Sequence, residues 1–447
     1  MRQKQTQHFF LRAGFGQPLK TIENTTLKSA GELWDFHLKQ SKTYNAIKLT
    51  SRFARPSEIR QMGMAERKEL QKAGREEVKK LNVAWITEMT SSQAQLREKM
   101  AFFWHDHFAC SSMNPVFMQD YLHVIRKHAL GNFGELLRAV SKSPAMLQYL
   151  DNQQNKRTSP NENFAREVME LFTLGRDQGY VEKDISEASR AFTGWAFDGE
   201  GSFFVRPFQH DNGNKTFLGK QGNLDGDDII DILLKQKQTA YCISEKWVRF
   251  FVNEEGDHEL TERIANELYR TDYSIKDGLK VLFTSDSFYE KRNIGTRIKS
   301  PVELIISLQR QLHVRITHPQ TLLFLQQNLG QMLFNPPNVS GWPSGKDWVD
   351  SSTLMFRMNL PKLIFKAALI KHYPDSFDDN DPFKLRGQLK KLETTFDYEA
   401  MKDSFSQLSA NQLQDYLLQT ETIFKNSTKD YLDHIVMVTS KPDFQLC

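Results

Sequence analysis

Histidine, carboxylate and arginine side chains crowd into a few short segments of this 447-residue chain, and each segment could support a different chemistry. Residues 102–108 read Phe-Phe-Trp-His-Asp-His-Phe. His105 and His107, one residue apart, could ligate a divalent metal if the segment is extended. On a helix they point about 200° apart. His107 then continues the stripe of Leu96, Met100 and Phe103 as a packed histidine, and His105 faces polar surroundings.

Residues 161–174 carry a second candidate. Asn163, Arg166, Glu167 and Glu170 share one helical stripe, with Glu162 one turn before Arg166. Phe164, Val168 and Leu171 flank the stripe on one side, and Ala165, Met169 and Phe172 on the other. A narrow charged stripe between two apolar flanks predicts an internal site, because buried carboxylates need a partner, a proton or a metal. The plainer alternative is an exposed ladder Glu162–Arg166–Glu170 contributing a few tenths of a kcal/mol per pair.

A third candidate is His210-Asp211 with Lys215, at a turn rich in Asn and Gly that ordinary turn chemistry also explains. The fourth is the loop 336–348, in which prolines and glycines fix Trp342 and Trp348. Their flat faces either stack on a ligand or clamp the loop. Dinucleotide-binding, phosphate-loop, nucleophile-elbow and zinc-protease signatures are absent from the sequence.

These residues need a scaffold, and the pattern supplies helices. One or two helices are expected over 82–109, and others over 121–130, 133–140 and 161–174. Ser159-Pro160-Asn161-Glu162 and Ser300-Pro301-Val302-Glu303 both read as helix starts with capping boxes. The aromatic runs 203–208 and 215–218 flank Asn212-Gly213 and predict one β-hairpin. The fold class is therefore mainly α, one large multi-helix domain over 1–371 with a small hairpin insertion near 203–218. A C-terminal helical tail, 372–447, packs on the core and contains a polar link around Asp375 to Asp381.

Composition is that of a globular chain, 39% hydrophobic and 26% charged, with 32 phenylalanines to fill a core. A net charge of +4 from 59 basic and 55 acidic residues argues against nucleic acid as a partner. The densest basic stretch, 67–80, is interrupted by glutamates and reads as a solvated helix face. Three scattered cysteines argue against a disulfide framework. The polar N-terminus lacks an apolar leader, and no run is long enough to span a membrane. The expected compartment is the cytoplasm, with export alongside a partner as the alternative.

Several segments in order resemble the bacterial family catalogued as domain of unknown function 1800. They are HFFLRAGFG (8–16), FWHDHFA (103–109), RKHALGNFGELL (126–137), SPAMLQYLDN (143–152), NENFAREVMELFTLG (161–175) and AFTGW (191–195). His210-Asp211 with Lys215, KSPVE (299–303), residues 329–348 and SKPDFQL (440–446) complete the set. The resemblance spans essentially the whole chain. It implies no activity and assigns no catalytic residue. It does imply a genomic neighbour, the domain of unknown function 1501, which resembles alkaline phosphatases and sulfatases. Many family members are longer and exported, and this chain departs from them in having no leader.

Together these readings predict one composite polar site. Glu162, Arg166, Glu167, Glu170, His210 and Asp211 would be catalytic, and His105 or His107 would hold a divalent metal. Lys215, Trp342 and Trp348 would contact substrate. The expected chemistry is metal-assisted hydrolysis or group transfer on a glycan or another polar polymer. The competing expectation is a non-catalytic companion or scaffold for the phosphatase-like neighbour.

Overall fold

The computed structural model describes residues 3–25, 27, 29–49, 53–54, 56–372, 393–422 and 430–447. Helices dominate, as the periodicity requires. The helices that matter for the site are α1 (Gln3–Arg12), α2 (Met64–Ser91), α3 (Gln95–His107), α4 (Pro115–His128), α5 (Asn163–Glu170), α6 (Glu182–Ala191), α7 (Lys237–Phe251) and α8 (Pro301–Gln311).

Helix α3 is the axis. It is buried nearly all round, including Gln95, Glu98 and Lys99. Charged groups survive there because each finds a partner. Glu98 accepts from Arg126 of α4 at 2.7 Å and from the Trp85 indole of α2 at 2.9 Å. Lys99 pairs with Glu303 of α8. Phe103, Trp104 and Phe108 stack into an aromatic cluster with Phe133, Trp247 and Phe250.

Residues 67–80 form the exposed half of α2, where Lys79 and Lys80 pair with Glu76 and Glu77. The Ser300 capping box forms as expected. Glu303 accepts the Ser300 N–H at 2.8 Å, and its own N–H donates to Ser300 Oγ. The helix expected from Ser159 starts later. Asn161 Oδ1 accepts the Asn163 N–H, and α5 ends at Glu170 rather than Leu174.

The expected hairpin is two hairpins. Strand β1 (Trp195–Phe197) pairs with β2 (Phe203–Val205), and β3 (Lys215–Phe217) with β4 (Lys220–Gly222). The turn of the second is Leu218-Gly219, both at positive φ, as a two-residue hairpin loop requires. A leucine in that conformation is uncommon, so the sequence hid it. Asn212-Gly213 is instead a loop, tied by Lys215 Nζ to the Asp211 and Gly213 carbonyls. A third strand pair, β5 (Val314–Ile316) with β6 (Thr394–Phe396), was not expected.

The link around Asp375 to Asp381 lies outside the described residues. Beyond it, Tyr416 donates to the Gln17 and Gln311 carbonyls, at 3.1 and 2.9 Å. Among the described residues no helix is long and apolar enough to cross a membrane.

Candidate functional site

A cleft of about 810 Å³ opens where α3 ends. Its walls come from the last turn of α3, from α7, from residues 253–256 and 292–297, and from the glycine-rich loop before Trp348. Asp106 and His107 project into it from α3, and Lys246 from α7.

The histidine's hydrogen bonds fix its tautomer. Nε2 of His107 is 3.2 Å from the Phe172 carbonyl, which can only accept, so Nε2 carries the proton. Nδ1 is then a bare acceptor and takes a hydrogen bond from Lys246 Nζ at 3.3 Å. Lys246 also donates to the Leu171 carbonyl at 2.6 Å. Burial, and then the Lys246 charge, hold the His107 imidazole well below its usual range. Burial lowers Lys246 too.

Asp106 accepts the Trp342 backbone N–H at 2.9 Å, yet burial pushes its carboxyl up to about 6. Gly341 (φ +87°) presses its backbone onto this carboxylate, and Gly345 (φ +57°) presses on Glu254. A Cβ at either glycine would collide with the carboxylate oxygen. One loop therefore seats two acids of the cleft. Glu254 Oε1 is buried without a hydrogen-bond partner. A carboxyl titrating near neutrality beside a neutral His and a lowered Lys offers proton donors and acceptors at physiological pH.

The sequence candidates fall into three separate places. His105 and His107 do not converge on one point. His105 faces away from the cleft into an aromatic cage of Trp85, Phe334 and Trp342. Its Nε2 accepts the Phe334 N–H at 3.1 Å, and burial lowers it to about 3. His107 is packed as expected, against Phe103, Trp104, Phe108, Phe133 and Phe172, with one edge on the cleft, whereas His105, expected to face polar surroundings, is enclosed by aromatic rings. Among the described residues no three His, Cys, Asp or Glu side chains come together as a metal site. Trp342 lines the cleft, whereas Trp348 is buried beside it.

The α5 stripe forms the ladder, half-exposed at Glu162 and Arg166 and nearly buried at Glu170, and none of it lines the α3–α7 cleft. Arg166 pairs with Glu162 and Glu170 at 3.3 Å each and with Glu182 at 2.7 Å. Glu170, nearly buried, also holds Arg176 at 3.1 Å. Three carboxylates thus surround Arg166 and engage both its Nη1 and its Nη2. Glu167 keeps one buried oxygen unpartnered, and burial followed by Glu170 raises its carboxyl. His210, Asp211 and Lys215 dock on α6 instead. His210 Nδ1 bonds the Thr193 carbonyl at 2.8 Å, and Asp211 pairs with Arg190 at 2.8 Å, which lowers its carboxyl. None of the three bonds Glu162, Glu167 or Glu170.

The family model described as "Protein of unknown function (DUF1800)" matches residues 8–446. The chain belongs to this family. No curated protein and no solved structure matches it.

For this DUF1800 member, the cleft residues that sequence reasoning passed over are Asp106, Lys246, Glu254 and Arg297. Asp106 stood between the two histidines but was overshadowed by them. Lys246 carried a usable signal, a cation directly before the apolar pair Trp247-Val248. Glu254 and Arg297 lie in loops, where no periodicity marks a residue as facing inward.

Proposed function

We propose that this protein is an enzyme whose active site is the α3–α7 cleft. It hydrolyses or transfers a group on a polar polymer such as a glycan by acid–base catalysis. One observation carries the reading: the glycine loop holds two carboxylates, Asp106 and Glu254, on the wall that also presents the Lys246–His107 pair. A carboxyl raised toward neutrality can give a proton to a leaving oxygen, and a second carboxylate can activate water or stabilise positive charge. Trp342 supplies a flat apolar face at the same wall. The test is turnover by the purified chain across a panel of charged and neutral glycans, read as new reducing ends. Asp106→Asn should abolish whatever activity is found. Equal turnover in the two proteins would remove Asp106 from the chemistry.

A second reading has its own observation. Phe208 is 88% exposed, with Phe204 and Val205 partly exposed nearby. Such an apolar surface favours a companion role toward the phosphatase-like domain of unknown function 1501. Sedimentation of the mixed, purified pair would show a complex that Phe208→Ser abolishes. Independent sedimentation would reject this reading.

A further inference from the structure

Arg249, Arg292 and Arg297, on the cleft wall, each hold a carboxylate. Lys246 does not. Its Nζ lies between two other lining residues, 2.6 Å from the Leu171 carbonyl and 3.3 Å from Nδ1 of His107. Both are neutral acceptors. The carboxylates whose charge reaches Lys246 are bound elsewhere. Asp106 accepts the Trp342 N–H, and Glu245, the neighbour of Lys246 on α7, pairs with Arg249 at 3.2 Å. Cys242, one turn back on α7, is a buried free thiol.

A lysine drawn out of water without a counter-charge favours its free-base form. A neutral amine has two N–H bonds and one lone pair. The Leu171 carbonyl and His107 Nδ1 take the two hydrogens, which leaves the lone pair uncommitted. Nδ1 can accept because the Phe172 carbonyl holds the His107 proton on Nε2. His107 therefore orients the amine and is placed to receive a proton from it. Lys246 and both its acceptors line one cavity, so a ligand there meets the amine beside His107. An oriented, desolvated lysine amine is a nucleophile toward carbonyl carbon.

We propose that Lys246 forms an imine with a carbonyl-bearing ligand in the cleft, the carbonyl belonging to a sugar aldehyde or to a 2-oxo acid. The Nζ lone pair bonds to the carbonyl carbon while the C=O π pair moves to oxygen, which takes a proton from Asp106 across the cleft. One Nζ proton passes to His107 Nδ1. The oxygen then takes that proton and leaves as water, and the nitrogen pair closes the C=N bond. Free amine, carbonyl and the Asp106 proton thus give a protonated imine, one water and the Asp106 carboxylate, whose charge balances the iminium. The step needs no other reactant. It shares its cleft with the enzyme reading but not the cutting of a polymer.

Reductive trapping on the full chain tests it. The wild-type protein is incubated at neutral pH with sodium cyanoborohydride and either glycolaldehyde or pyruvate, and digested. Mass spectrometry then measures the adduct on each lysine. The expected result is a saturable adduct on Lys246, about tenfold or more above that on the exposed Lys80 and Lys291. The probe that gives more adduct names the source as sugar aldehyde or 2-oxo acid. In chain unfolded in urea the preference should vanish, because the fold supplies the two acceptors. Modification of Lys246 no greater than that of the surface lysines with both probes overturns the proposal, and so does a preference that persists in urea. Trapping without glycan turnover supports the imine and rejects only the glycan reading. Glycan turnover without trapping rejects only the imine.

Discussion

Lys246 Nζ lies 3.3 Å from Nδ1 of His107, although the two residues are 139 apart in sequence. The contact puts an amine and an imidazole, both lowered by burial, on the wall that carries Asp106. Lys246→Met should raise the His107 pKa, since the Lys246 charge is the second cause of its depression. Burial, the first cause, would still keep it low. Imidazole resonances followed by NMR across pH 4 to 8 would check this. A His107 that titrates near 6.5 in the wild type would contradict it.

The two histidines of one motif should behave differently. His105→Ala removes a caged ring and leaves the Phe334 N–H without an acceptor, so a loss of about 2–4 kcal/mol is expected. His107→Gln should unfold closer to the wild type. Denaturant unfolding of both variants measures the difference, and equal losses would contradict the assignment.

Acid should act through His105. Its folded pKa of about 3 is below the unfolded value near 6.5. The unfolded chain therefore binds the proton first. This contribution is complete above pH 6.5 and is lost as pH falls toward 3. Asp106 works in the opposite sense. Its folded pKa, about 6, lies above the unfolded value. The stability linked to its proton is full below about pH 4 and gone above about pH 6. Asp106→Asn should thus gain about 2–3 kcal/mol at pH 7 and nothing at pH 4. Unfolding curves at the two pH values would show the crossover or its absence.

Gly341→Ala should be costly. Positive φ alone penalises alanine by about 1 kcal/mol. The collision with Asp106 adds to that and moves the carboxylate. Stability and turnover should fall together. An alanine variant with wild-type unfolding and activity would show that the loop does not seat the acid.

The surface ladder should matter little. Arg166→Met removes two exposed or half-exposed pairs and one to the nearly buried Glu170, which keeps Arg176 as a partner, and about 0.5–1 kcal/mol is expected. Turnover in the cleft should be unchanged.

Helix periodicity made the architecture legible, because α3, α7 and α8 bury apolar residues at regular spacing. The Ser300 capping box was legible for the same local reason. The site was not. Arithmetic on α3 correctly set His105 and His107 on opposite faces, but which face meets a cleft depends on α7 and the loop before Trp348. The stripe on α5 looked internal because its apolar flanks are buried. Those flanks pack against α6 and neighbouring helices, and that packing leaves the charged edge outside. Asp106 needed a partner loop 236 residues away to become a site.

The carbon-13 titration of the Asp106 side-chain carboxyl, assigned by its loss in Asp106→Asn, tests the central claim most directly. The account predicts a midpoint near pH 6, with the Lys246 and His107 signals responding to it. A midpoint near the ordinary aspartate value of about 4 would contradict it, because the cleft would then hold no carboxyl poised to exchange a proton at neutral pH.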